Sequence, residues 1–96
     1  MKIIAYDHIL AGASPDKIQP LLREEVAHAW ELSKAGIIRE NYSRTDKPGA
    51  VIVFECASVE EAEGYVRQFP LVKAGLIEFD FIPVGAFTPL DNLFAR

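Results

Sequence analysis

Cysteine is nearly absent from this chain: Cys56 stands alone among 96 residues, so no internal disulfide can form. Histidine is almost as scarce, and His8 and His28 make no Cys/His cluster at the spacing of a structural zinc site. There is no GxGxxG, P-loop, serine elbow or two-histidine ligand motif, so neither a nucleotide cofactor nor a metal is expected. No apolar run approaches the roughly 18 residues of a membrane-spanning helix. The opening MKIIAYDHIL meets Asp7 and His8 before a signal-like core can form, which leaves no membrane partner and a cytoplasmic reading. Basic charge is also in deficit. Ten Lys and Arg face fourteen Asp and Glu, a net charge of −4, so no surplus exists to neutralise the phosphates of a nucleic acid.

What is present is apolar side chain, half of the composition, on a chain of single-domain length that we read as one unit over residues 1–96. A chain this short buries only about 60–65 % of its unfolded surface, so part of its aromatic complement is available to a partner subunit and a homodimer or higher homo-oligomer is expected.

Gly and Pro fall singly where the apolar period changes and divide the chain into elements. Residues 2–10 are β-branched and aromatic and predict a strand. Ser14-Pro15-Asp16 supplies a helix start and Gly36 a stop. Pro20 cannot donate back along that helix, so a first turn, a restart and a regular helix from about Pro20 to Ala35 are predicted. Residues 37–44 and 50–57 read as strands of a hairpin, with Pro48-Gly49 suiting a type II turn. Ser58 with Glu61 forms a capping box in which Glu61 reaches back to the Ser58 N–H, and Pro70 closes this second helix. In residues 76–84, Ile77, Phe79 and Phe81 alternate with Glu78 and Asp80, a strand with one drier face. The order βαββαβ is that of a ferredoxin-like α+β fold, two helices on one face of an antiparallel four-stranded sheet. The strands are apolar on both faces, so the uncovered face needs a second copy, giving a dimeric α+β barrel. Residues 85–96 add Phe87, Leu90, Leu93 and Phe94 and are expected to dock on a neighbouring subunit.

The chemistry-bearing residues are few. Ile18, Leu22, Ala29 and Leu32 lie on one arc of the first helix at about 100° per residue, and Glu25 falls inside it. An inward carboxylate either satisfies a backbone donor at the helix edge or serves as a general base with a raised pKa. His28 is within helical reach of both Glu24 and Glu25. On the first strand Tyr6 and His8 share one face and Asp7 takes the other, so Tyr6 and His8 either look into the cavity of Glu25 or are structural. Arg39 needs a carboxylate, from Glu78, Asp80 or Glu55, or else clamps a substrate anion. Trp30 and Tyr42 suit a rim or subunit contact better than stacking on a cofactor, and Cys56 suits the core. Glu25, His28 and His8 are thus the candidate catalytic residues, and Arg39, Tyr6 and Tyr42 the candidate substrate-binding ones.

From about Pro15 to Ile82 the sequence resembles the muconolactone isomerase family, in Pro15, Lys17, Glu25, Leu32, Gly36 and Arg39, then in Phe54, Ser58-Val59-Glu60, Gln68-x-Pro70-Leu71 and Ile77-Glu78-x-Asp80. The resemblance implies an oligomeric, cofactor-free dimeric α+β barrel that shifts a proton between carbons of a small carboxylated unsaturated lactone, in aromatic catabolism, with Glu25 as base and Arg39 as anion clamp. Two rivals stand beside it: a non-catalytic small-ligand or assembly module on the same barrel, and a cofactor-free oxygenase or histidine-dependent hydrolase centred on His8.

Overall fold

The computed structural model describes residues 1–95. Strand β1 (Lys2–Ile9) leads through Gly12 into helix α1 (Pro15–Ile18), a 3-10 turn (Gln19–Leu21) and helix α2 (Leu22–Lys34). The interruption at Pro20 is as the missing N–H demands, and the regular helix begins at Leu22. Strands β2 (Ile38–Ser43) and β3 (Ala50–Glu55) follow, then helix α3 (Val59–Val66), short helix α4 (Pro70–Lys73), strand β4 (Ile77–Val84) and a 3-10 segment (Thr88–Leu93). The sheet order is β2-β3-β1-β4 with every pair antiparallel, the ferredoxin-like α+β arrangement.

Several local expectations shift. The hairpin loop is closed by the Arg44 N–H on the Gly49 carbonyl, with Gly49 at φ 156°, too open for the second central position of a type II turn. Ser58 Oγ accepts the Glu61 N–H at 3.1 Å, but the Glu61 carboxylate reaches the Ala57 N–H, one residue beyond the capping-box target. Pro70 does not close the second helix. That helix ends at Val66, and Pro70 opens α4 at the position where a missing N–H is harmless.

Alternation along the strands sorts the sheet into two faces. Ile3 and Ala5 on β1, Ile52 and Phe54 on β3 and Ile77 on β4 point beneath the helices and are buried, joined there by Leu32, Ala62, Val66 and Phe69. Ile4, Tyr6, Val51, Val53 and Ile82 point to the face that no helix covers. Beyond the sheet, Phe87, Leu93 and Phe94 are 68 %, 73 % and 82 % exposed. A radius of gyration of 15.7 Å, against about 12.5 Å for a compact chain of this length, fits a tail that does not fold back on its own body. Its final residue, Arg96, lies outside the described residues.

Candidate active site

Beneath the helices β1 presents Ala5, its smallest inward residue. Ala5 is fully buried, and the next inward position on the same strand is Asp7. Above it, Ala29 and Val26 leave room between helix and sheet for a cavity of about 360 Å³, walled by Ile52, Phe69 and Phe79 and rimmed by Trp30. A second hollow of about 590 Å³, toward Ile18, Leu71 and Ile77, shares Asp7, Glu25, Val26, Ser43 and Ala50 with the first. The two carboxylates therefore stand where both spaces meet, among mainly apolar walls.

Glu25 points inward, as its place on the helix arc predicts. Its Oε1 accepts the backbone N–H of Leu71 at 2.9 Å. Burial raises its pKa above the usual 4.5, the Leu71 N–H opposes that rise, and the negative charge of Asp7 adds to it. Asp7 is held in the same way from another side: its Oδ1 accepts the Ala50 N–H at 2.9 Å. Burial raises its pKa also, opposed by the Ala50 N–H, by His8 and by Arg44. Gly49 is part of this seat, since a Cβ there would come within 2.8 Å of Asp7 Oδ1. Asp7 is the residue that sequence reasoning passed over. Its alternation with Tyr6 and His8 was readable, but not which of the two sets lies under the helices.

The remaining candidates lie elsewhere. Tyr6 and His8 are on the uncovered face, edge to face at 5.4 Å, with His8 Nε2 bonded to Asp80 Oδ2, and neither lines the two hollows. This corrects the expectation that they share a cavity with Glu25. Arg39 sits at a bulge between Ile38 and Glu40, exposed, with its Nε donating to the Gly36 carbonyl at 2.6 Å. A guanidinium capping the end of α2 is not a clamp on the cavity. His28 bonds neither Glu24 nor Glu25. Its Nε2 is buried without a partner and its ring stands perpendicular to Phe69, 4.6 Å between centroids. Tyr42 borders the cavity while its hydroxyl donates to Glu40, which raises the phenol pKa. Cys56 packs against the core and burial raises its thiol pKa, the profile of an inert cysteine. Among the described residues no three His, Cys, Asp or Glu side chains are grouped to hold a metal ion, and no helix is long and apolar enough to cross a membrane.

No protein-family model and no curated protein matches the sequence. Among solved structures, the chain is similar to 5-chloro-2-hydroxyhydroquinone dehydrochlorinase from Burkholderia phenoliruptrix AC1100, determined in complex with 2,5-dihydroxybenzoquinone. The two share 19 % identity with a TM-score of 0.66, over 93 % of this chain and 98 % of that one. At that identity the likeness establishes a common fold, and what the cavity does has to come from its own residues.

Proposed function

We propose that the chain is a cofactor-independent enzyme of the isomerase type, shifting a proton within a small unsaturated lactone or related enolisable compound, with Glu25 as the base. The observation that carries this reading is a carboxylate seated in an apolar cavity by a single backbone N–H. The bond to Leu71 fixes Oε1 and the rotamer, and Oε2 makes no hydrogen bond among the described residues. Apolar walls make the charged form less comfortable than in water, so the carboxylate is a stronger base than a free glutamate. A substrate C–H beside it loses its proton to Glu25, and the electron pair passes into the conjugated carbonyl. The proton held on Glu25 exchanges with solvent, and delivery of a proton from Glu25 to another carbon completes the shift without change of oxidation state.

A neighbour of the same fold that was solved with a small oxygenated ring in complex supports a small cyclic substrate. A homodimer formed through the uncovered sheet face, with the tail of residues 85–96 laid on a neighbouring subunit, would remove Tyr6, Val51, Phe87 and Phe94 from water.

The test is solvent-deuterium incorporation, followed by proton NMR, into five-membered unsaturated lactones with and without a carboxymethyl arm. Native protein is expected to catalyse exchange, and Glu25→Gln to slow it by about 10²- to 10⁴-fold. Absence of exchange with native protein, or undiminished exchange in the variant, rejects the reading. Stabilisation of the fold by a lactone without exchange would leave the non-catalytic binder in its place.

A further inference from the structure

We infer that Asp7 is the second proton-transfer group of this cavity, and that Asp7 and Glu25 together select an uncharged cyclic carbonyl compound over a carboxylated one. The inference rests on the reading of Glu25 as a base and names the partner and substrate class of that same site.

The two acids come from different elements, β1 and α2, and converge on one space. Each has one oxygen fixed by a backbone N–H at 2.9 Å, from Ala50 and from Leu71, and each keeps its other oxygen without a hydrogen bond among the described residues. Among the described residues no Lys, Arg or His lines either hollow. Arg44, whose charge does reach Asp7, is committed to Asp46 through bonds of 2.9 and 2.6 Å, and His8 is turned to the other face on Asp80. An anionic substrate would enter a space that already holds negative charge and find no cation there.

Two carboxyl groups facing one apolar space ionise less readily together than apart, so the pair passes through a singly protonated form as the pH rises. The surroundings divide the work. Arg44 and His8 favour the charge on Asp7, which makes it the stronger acid, whereas burial and the repulsion of Asp7, opposed by the Leu71 N–H, make Glu25 the stronger base. The reactive form is the less favoured of the two singly protonated ones, with the proton on Asp7 and the charge on Glu25, because it sets the stronger acid and the stronger base against the substrate together. Glu25 takes the carbon-bound proton, the C–H electron pair moves through the conjugated system to the carbonyl oxygen, and that oxygen takes the proton of Asp7. The product of this half is a neutral enol, with Glu25 protonated and Asp7 ionised. The second half reverses the roles: the enol O–H returns its proton to Asp7 as Glu25 delivers the other to a different carbon. Protons and electrons balance with no co-reactant.

The experiment compares kcat/KM for exchange in an uncharged β,γ-unsaturated five-membered lactone and in its carboxymethyl-bearing counterpart. It uses native protein, Asp7→Asn and Glu25→Gln across the pH range in which the fold is intact. Expected is a preference for the uncharged lactone of at least about tenfold. Asp7→Asn should lower kcat about 100-fold with KM within about threefold, and abolish one limb of a bell-shaped pH profile. Asparagine keeps the acceptor for the Ala50 N–H, so the loop stays seated. Should that variant still fail to fold, the substrate preference of native protein decides the matter without it. Equal or faster turnover of the carboxylated lactone, or full activity with an unchanged profile in Asp7→Asn, overturns the inference and leaves the role of Glu25 standing. Exchange in neither lactone overturns the role of Glu25 and this inference with it.

Discussion

Neighbouring residues of one strand face two different environments. On β1, Ala5 and Asp7 point beneath the helices, where Ala5 is fully buried and Asp7 borders a largely apolar cavity with one backbone donor. Tyr6 and His8, one residue out of phase, lie on the uncovered face, where His8 meets the exposed Asp80. The same residue types therefore do different work on the two sides. A carboxylate under the helices is pushed toward its neutral form and can exchange protons with a ligand, whereas Asp80 is exposed to solvent and bonded to the His8 ring. On the function proposed above, chemistry is assigned to the covered face and association to the uncovered one.

The largest expected effects come from breaking each face in its own terms, on the same strand. Phe54→Ala removes a ring with no exposure, stacked parallel to Tyr65 at 6.5 Å, and should cost about 3–5 kcal/mol in urea unfolding. Val51→Glu puts a charge on the uncovered face, where a side chain is half-buried in the single chain and opposite Tyr6. It should change the sedimenting species from dimer to monomer while helix content holds. Equal destabilisation of the single chain by both variants would erase the distinction between the faces.

A smaller effect separates function from stability at the two carboxylates. Both ionise above their ordinary values of 3.8 and 4.5 because the fold partly dries them. The folded protein thus keeps protons that the unfolded chain releases. The stability this linkage contributes is complete below those ordinary values and is lost as pH rises through the raised ones, so at neutral pH the two charges are a net cost. Glu25→Gln and Asp7→Asn retain the acceptors for Leu71 and Ala50 and remove the charge. Each should melt about 2–4 °C higher than native protein at pH 7 and gain less on acidification toward pH 5, while exchange activity falls. A lower melting temperature at neutral pH would mean that ionised carboxylates hold the fold together there.

The fold was legible because its signals are local: period-two strands, the proline start at Pro15, the break at Pro20, and the cap at Ser58. Glu25 was legible for the same reason, since a helix arc is defined by its own residues. Asp7 was not. Both faces of β1 carry apolar side chains, so alternation gives two sets of residues without saying which set the helices cover, and that is decided by contacts with Phe79 and Ala29 far along the chain. Arg39 escaped for a related reason. The bulge between Ile38 and Glu40 takes it out of the ladder, and its guanidinium turns back to the Gly36 carbonyl instead of across the sheet. Pro70 is ambiguous in sequence because a proline ends one helix as readily as it opens the next.

The smallest effect is the most exacting check on the division between faces. His8 is a histidine next in sequence to Asp7, close enough for its charge to be felt there, yet its ring is directed to Asp80 and lies against Tyr6. If proton transfer belongs to the covered side, His8→Asn removes only a partly exposed side-chain hydrogen bond and an edge contact. Exposed pairs of this kind contribute about 0–1 kcal/mol, so unfolding should move by no more than that. Exchange should stay within about threefold of native, the residual loss reflecting a weaker field at Asp7 as it donates its proton. A collapse of exchange comparable to that of Glu25→Gln would place the imidazole in the proton path. The uncovered face, closed by a second subunit, would then hold the reacting centre, and the cavity under α2 would be a ligand seat without chemistry.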